Sequence, residues 1–119
     1  MYDHIGLRVS NLDASVRFYT AALAPLGHIL CSKDETSAGL GPKGAPALWL
    51  YLNKGERQAG AHIAFRAPDH AAVSQFHTEG LKAGGSDNGG PGPRLDYSPT
   101  YYAAFLIDPD GNNVEAVCA

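Results

Sequence analysis

A chain of 119 residues, 45% of them apolar and with a net charge of -3, has room for one hydrophobic core but not two. Its acids and bases are interspersed without a basic stripe, which argues against a nucleic-acid partner, and no run approaches the ~18 apolar residues of a membrane span. Cys31 and Cys118 form no C-x-x-C pair and Met1-Tyr2-Asp3-His4 has no secretory character, so the expectation is a cytoplasmic protein with reduced thiols.

In chain order, His4-Ile5-Gly6-Leu7-Arg8-Val9 alternates with period two and reads as a strand. Ile5, Leu7 and Val9 face one way; His4, Gly6 and Arg8 face the other. Ser10-Asn11 is an N-cap signal, and Leu12, Val16, Tyr19, Leu23 and Leu26 recur at helical spacing up to Gly27, placed as a C′ glycine. Residues 28–32 and 47–53 are strand candidates, joined through Gly/Pro-rich turns. A second strand then places His62, Ala64 and Arg66 on one face and Ile63, Phe65 and Ala67 on the other. Pro68-Asp69 opens a helix with Val73, Phe76 and Leu81 inward, closed by Gly84-Gly85. A weakly marked strand near residues 86–88 precedes residues 101–107 and 113–118, a hairpin about the turn Asp108-Pro109-Asp110-Gly111. Residues 84–100 hold five glycines and three prolines and read either as a functional loop or lid or as a surface excursion.

The two halves are a repeat. At an offset of 58 residues His4 falls on His62, Ile5 on Ile63, Arg8 on Arg66, Ala14 on Ala72, Phe18 on Phe76, Thr20 on Thr78, Leu23 on Leu81 and Gly27 on Gly85, eight identities over 24 ungapped positions. A duplicated supersecondary unit of this kind implies a pseudo-two-fold axis that brings equivalent residues together. The expected architecture is α+β: one domain over residues 1–119, with two βαβββ modules (about 1–57 and about 58–119) and helices outside a curved mixed sheet.

The final strand adds a carboxylate. With Val114, Ala116 and Cys118 assigned to the helix side, Glu115 projects to the face of His4 and His62. Two neutral imidazoles and a carboxylate suit a divalent transition metal and leave positions for water or substrate. Taken singly, each histidine also fits a packed or hydrogen-bonded strand residue, and Glu115 a solvated residue or a partner of Arg8 or Arg66.

The opening Asp3-His4-Ile5-Gly6-Leu7-Arg8-Val9, the stretch Ala61-His62-Ile63-Ala64-Phe65, the run Phe105-Leu106-Ile107-Asp108-Pro109-Asp110-Gly111-Asn112 and the closing Val114-Glu115 resemble the vicinal oxygen chelate superfamily, which groups glyoxalases, bleomycin-resistance proteins and extradiol dioxygenases. The resemblance implies that the modules curl into an incomplete mixed β-barrel around a divalent metal, Zn, Fe, Mn, Ni or Co, held by His4, His62 and Glu115. It also implies a homodimer and a small-molecule substrate. Glyoxalase I carries a fourth ligand, a glutamate, on the last strand of its first module. Here Trp49 and Tyr51 occupy that neighbourhood, which speaks against a four-ligand site.

Glu115 and Tyr101 are the expected catalytic residues; Trp49, Tyr51, Arg94, Tyr97 and Tyr102 are the expected substrate contacts. Each tyrosine also fits aromatic packing, and Arg8 and Arg66 fit pairing with internal acids. His28, His70 and His77 read as bystanders. The expected function is a lyase, isomerase or dioxygenase that activates a small oxygenated substrate on the metal. The alternative is a metal-free protein that sequesters small molecules in the manner of bleomycin-resistance proteins.

Overall fold

The computed structural model describes residues 2–53 and 60–119, so the expected module boundary near residue 57 lies outside the described residues. The first module runs β1 (Ile5–Val9), α1 (Leu12–Leu23), a 3-10 turn (Ala24–Leu26), β2 (Ile29–Lys33), β3 (Ser37–Gly41) and β4 (Leu48–Leu52). The second runs β5 (His62–Arg66), α2 (His70–Lys82), β6 (Ser86–Pro93), β7 (Tyr102–Ile107) and β8 (Asn113–Cys118). This is the α+β, doubled βαβββ arrangement that the repeat implied.

Each module forms its own four-stranded sheet, ordered β1-β4-β3-β2 and β5-β8-β7-β6, with one parallel pair in each, β1 with β4 and β5 with β8. β1 and β2 are the edges of the first sheet and β5 and β6 those of the second, and among the described residues no hydrogen-bonded ladder joins the two sheets. The expected single curved sheet is therefore present as two separate halves within one chain, and no barrel is closed.

The reason lies in how the helices pack. α1 lies on the first sheet and α2 on the second, and the two helices pack against one another. A single apolar core runs through both modules, from Leu7 and Leu50 across Phe18 and Phe76 to Leu106 and Val114. The sheet faces that carry His4 and His62 are consequently turned away from this shared core.

Helix starts follow the sequence signals. Asn11 accepts from the Ala14 amide at 3.0 Å, and Asp69 from the Ala72 amide at 2.8 Å; caps of this type contribute about 1 kcal/mol each. Gly27, at φ +92°, ends the 3-10 turn in the left-handed region, one turn later than a plain α-helix would need it.

The buried faces differ from the expected stripes. In α1 the buried residues are Leu12, Ser15, Phe18, Tyr19, Ala22 and Leu23, whereas Val16 and Leu26 are only partly covered. The helix is covered on two sides, by its sheet and by α2, so Phe18 and Ala22 are recruited to a second contact face. In α2 the residue at that contact is Gly80, not Leu81, which is exposed. A Cβ at Gly80 would press on Leu106 Cδ1 of β7 and stand 3.3 Å from the Phe18 ring, so a larger side chain there requires these neighbours to shift.

Two strands departed from expectation. β3, read as turns in the sequence, is a full strand whose Gly39 leaves space for the Trp49 ring. β6 extends to Pro93 as an edge strand with bulges between Asp87 and Gly92, where proline costs no ladder bond. The supposed long loop therefore shrinks to the segment between β6 and β7.

The turn joining β7 to β8 binds the modules together. Buried Asp108 accepts from the amides of Asp110 and Asn112, from Asn112 Nδ2 and from the Tyr19 hydroxyl. Asp110 accepts from the Ser10 amide and from the hydroxyls of Ser10 and Ser15 at the start of α1. Burial, reinforced by Asp108, pushes the Tyr19 phenol far above its ordinary value.

Candidate metal and substrate site

The pleat decides which residues meet. In the second sheet Glu115 of β8 is flanked by Ala64 of β5 and Phe105 of β7, while Val114 and Ala116 point into the core. Glu115 thus projects to the outer face, as expected, yet it is almost fully buried there at 3% exposure. A carboxylate so placed requires partners, and it has two.

His62 Nε2 stands 3.1 Å from Glu115 Oε1, and the Tyr101 hydroxyl donates to Oε2. On its other side, His62 Nδ1 lies 3.1 Å from the Asn113 carbonyl oxygen. A carbonyl can only accept, so Nδ1 carries a proton, which leaves the lone pair of a neutral ring on Nε2, facing the carboxylate. The hydrogen bond to Glu115, followed by burial, pushes the Tyr101 phenol up to about 12.

Around this core, the His62 ring lies nearly parallel to Phe105 at 6.5 Å, and Tyr97 packs edge-on against Tyr101 at 4.9 Å. The Arg94 guanidinium sits 5.4 Å above Phe105 and donates to the carbonyls of Gly90, Gly92 and Pro93. It therefore fastens the bulged end of β6 over the same face, a structural task absent from its expected role. The Arg94 amide bonded to the Tyr101 carbonyl at 2.7 Å closes the short segment that carries Tyr97.

The remaining expected site residues are distributed differently. His4 precedes β1; its Nδ1 is bonded to Asp3 Oδ1 at 2.7 Å and it borders an apolar cavity between the sheets. Within one chain it does not join His62 and Glu115, and among the described residues no three His, Cys, Asp or Glu side chains converge as metal ligands. The side-chain partner of His4 is Asp3, whereas Glu115 is bonded to His62 and Tyr101.

Trp49 and Tyr51 line the outer face of the first sheet, their rings lying where Cβ atoms at Gly39 and Gly6 would otherwise stand. Tyr102 alternates away from Phe105 and stacks on His70 at 3.9 Å and 4°, so it lies on the helix side rather than beside Glu115. It is therefore not among the residues beside Glu115, contrary to its expected role as a substrate contact there.

Of the supposed bystanders, His77 bonds Asp87 at 2.8 Å and ties α2 to β6, and that bond holds the Asp87 carboxyl below the usual carboxylate range. His28 is half-buried with its ring edge toward Phe65, and burial pushes its pKa down. Neither Arg8 nor Arg66 forms an ion pair with an acid among the described residues. Cys31 and Cys118 are both free thiols. Among the described residues no helix is long and apolar enough to cross a membrane.

Comparison with known proteins gives a consistent picture. The sequence profile of the Glyoxalase/Bleomycin resistance protein/Dioxygenase superfamily matches residues 2–116. A glyoxalase/bleomycin resistance protein from Albidiferax ferrireducens T118 superposes with a TM-score of 0.85 at 26% identity, with 98% of each chain covered. A mutant of glyoxalase I from Zea mays matches at 28% identity and a TM-score of 0.74, covering 96% of this chain and 45% of its own length. A glyoxalase-related enzyme from Fulvimarina pelagi, at 18% identity and a TM-score of 0.75, shares the fold over 98% of this chain and 86% of its own. Curated protein sequences give no significant match.

Proposed function

The chain belongs to the glyoxalase/bleomycin resistance protein/dioxygenase superfamily, and on that premise we propose that it is a metal-dependent enzyme acting on a small oxygenated substrate. The ligands of the divalent cation are His62 and Glu115 of one copy and His4 of a second copy in a homodimer.

The observation that carries this reading is the His62–Glu115 pair. With Nδ1 donating to Asn113, a neutral His62 presents a lone pair 3.1 Å from a buried carboxylate oxygen. Two acceptors in that position need a shared cation, a proton or a metal ion. A backbone carbonyl bound to the far nitrogen is also the outer-shell partner that metal-ligating histidines use. The donor set, imidazole nitrogen and carboxylate oxygen, suits Zn, Fe, Mn, Ni or Co.

His4 enters from the partner because its own chain keeps it apart, while the repeat aligns it, immediately before β1, with His62 at the start of β5. β1 and β5 are both outer strands with one side unpaired by a neighbour in the same chain, which are the edges a second copy would use.

The chemistry that a bound divalent cation supplies is Lewis-acid polarisation of neighbouring substrate oxygens. The chain's own groups then have distinct tasks. The Tyr101 hydroxyl, an ordinary phenol being protonated up to about pH 10, turns from Glu115 to donate to a substrate oxygen rather than acting as a base. Glu115 Oε2, once relieved of the Tyr101 hydrogen bond, is the atom that takes a substrate proton. Phe105 and Tyr97 of one copy and, from the first module of the second copy, Trp49 and Tyr51 wall the site. Isomerase, lyase and dioxygenase chemistry all use this arrangement, the last with iron.

One observation favours a second reading. Both oxygens of Glu115 are already engaged, by His62 and by Tyr101, and such a closed hydrogen-bonded cluster also suits a metal-free protein that sequesters small molecules. Metal analysis of purified, untagged protein separates the two. The enzyme reading predicts about one divalent ion per chain, lost from folded His62→Ala and Glu115→Ala proteins. Metal-free protein, or metal retained by both variants, contradicts it.

A further inference from the structure

β6 ends in Gly89-Gly90-Pro91-Gly92-Pro93, a run without a polar side chain. Its pairing with β7 is interrupted by bulges between Asp87 and Gly89 and between Gly89 and Gly92, and its prolines have no N–H to donate. The next residue supplies what the run lacks. The Arg94 guanidinium donates through Nη2 to the Gly90 carbonyl at 2.7 Å, and through Nη1 to the carbonyls of Gly92 at 3.0 Å and Pro93 at 3.3 Å. It lies at the same time over the Phe105 ring. Glycine makes this seat possible. A Cβ at Gly92 would stand 3.3 Å from Nη1, and one at Gly89 would stand 3.3 Å from Nη2 and 3.1 Å from Phe105 Cδ1.

The main chain of Arg94 carries this anchorage to the site. Its amide donates to the Tyr101 carbonyl at 2.7 Å, and its carbonyl accepts from the amides of Tyr97 and Ser98 at 3.0 and 3.4 Å. Tyr101 in turn donates its hydroxyl to Glu115 Oε2, and Tyr97 lies edge-on against the Tyr101 ring. No residue from 84 to 101 belongs to the apolar core, so the core does not hold this segment in place. No acid pairs with Arg94 among the described residues; its donors are aimed at backbone.

We propose that Arg94 is a positioning residue for Tyr101: its guanidinium, tied to the end of β6, fixes the backbone from which the Tyr101 hydroxyl reaches Glu115. It acts through Tyr101 and not by direct contact with a substrate. Its consequence for turnover rests on the reading of Glu115 and Tyr101 given above, whereas the positioning itself needs no metal.

The shape of the group explains why arginine stands here. A planar guanidinium lies on an aromatic face while two of its nitrogens point to separate carbonyls. A lysine ammonium is a compact, strongly hydrated charge and does not do both.

Metal-free protein carrying 13C-labelled tyrosine provides the test, because the Cζ resonance responds to hydrogen bonding of the hydroxyl; Tyr101→Phe assigns the signal. In Arg94→Ala the Tyr101 resonance should move toward that of Tyr2, which is 82% exposed. The melting temperature should fall by less than about 5 °C, with core amide resonances in place. Added ethylguanidinium should refill the seat and restore the Tyr101 signal, and ethylammonium at equal concentration should not. Arg94→Lys should behave as Arg94→Ala does. So should Arg94→Met, which keeps a chain over Phe105 without the donors and carries the test if Arg94→Ala fails to fold. An unmoved Tyr101 resonance in Arg94→Met, a native signal in Arg94→Lys, or equal rescue by both cations would overturn the assignment. Resonances displaced throughout the second module would overturn it too, by showing a general structural role. Metal content is measured separately, so a failed metal reading leaves each of these outcomes in force.

Discussion

The outer faces of the two sheets are built on one plan and furnished differently. In the second sheet Ala64 is paired with Glu115; in the first the equivalent residue, Gly6, is paired with Trp49. Where one module places a buried carboxylate, the other places an indole lying over Gly39. Arg8 is likewise opposite Tyr51, whereas Arg66 is opposite Val117. Duplication thus preserved the histidine, the arginine and the register, and divided the rest: the second module supplies the acid and phenol, the first an aromatic wall. On the proposed reading, such a division gives each module half a site, which a second copy would complete.

The comparison breaks most sharply at Glu115. Glu115→Ala should lower metal affinity by more than the roughly 10–100-fold typical of outer-shell partners, measured by competition with a chelating dye. Trp49→Ala should leave metal affinity within a few-fold and instead raise KM for whatever substrate is turned over. Equal losses from both would mean that the two faces are not specialised.

Next in size is the contact that holds the faces apart. Gly80→Ala puts a methyl group against Leu106 and Phe18 and should cost about 1–3 kcal/mol in denaturant unfolding. The Leu81→Ala change beside it, on an exposed residue, should cost far less. A neutral Gly80→Ala protein would show that the helices can part.

The latch between modules should show an effect of comparable size. Tyr19→Phe removes a hydroxyl bonded to the buried Asp108 carboxylate, a loss of about 1.5–3 kcal/mol for a charge-assisted bond. The same change should leave metal content unaltered, since Asp108 serves the modules' junction and not the outer face.

The smallest effect concerns acid sensitivity of the second module. His77 holds the Asp87 carboxyl below its unfolded value, so folding favours the ionised form. The stabilisation is complete above the unfolded carboxylate pKa of roughly 3.9 and disappears as pH falls through the lower folded value. Asp87→Asn should therefore flatten the stability profile on that acid flank, read from melting temperature between pH 5 and pH 2 in roughly half-unit steps.

Much of the fold was legible because its signals are local. The offset repeat, the Asn11 and Asp69 caps and the turn at Asp108 all report backbone geometry within a few residues. β3 and the length of β6 were not legible, because glycine and proline usually mark turns. Here Gly39 makes room for a ring, and Pro93 sits on an edge where no ladder bond is lost. Leu81 misled for a related reason: hydrophobicity identified the stripe, but close helix packing chose Gly80. At the site, alternation placed Glu115 and His62 on one face, and the same alternation, had it been applied to β7, would have put Phe105 there and Tyr102 on the other. The pseudo-two-fold argument brought His4 to His62, whereas within the chain His4 is bonded to Asp3 and His62 to Glu115 and Asn113. No local pattern reports which faces two modules will present to each other.

Mixing two defective proteins tests the shared site most directly. His4→Ala and Glu115→Ala chains each lack a ligand at every site, so neither alone should hold stoichiometric metal. If each site draws His4 from one copy and Glu115 from the other, an equal mixture allowed to exchange subunits regains one intact site per heterodimer, about one quarter of the unaltered protein's metal content for random pairing of a two-fold dimer. A mixture that exchanges subunits freely and still binds no metal would contradict a site built between copies.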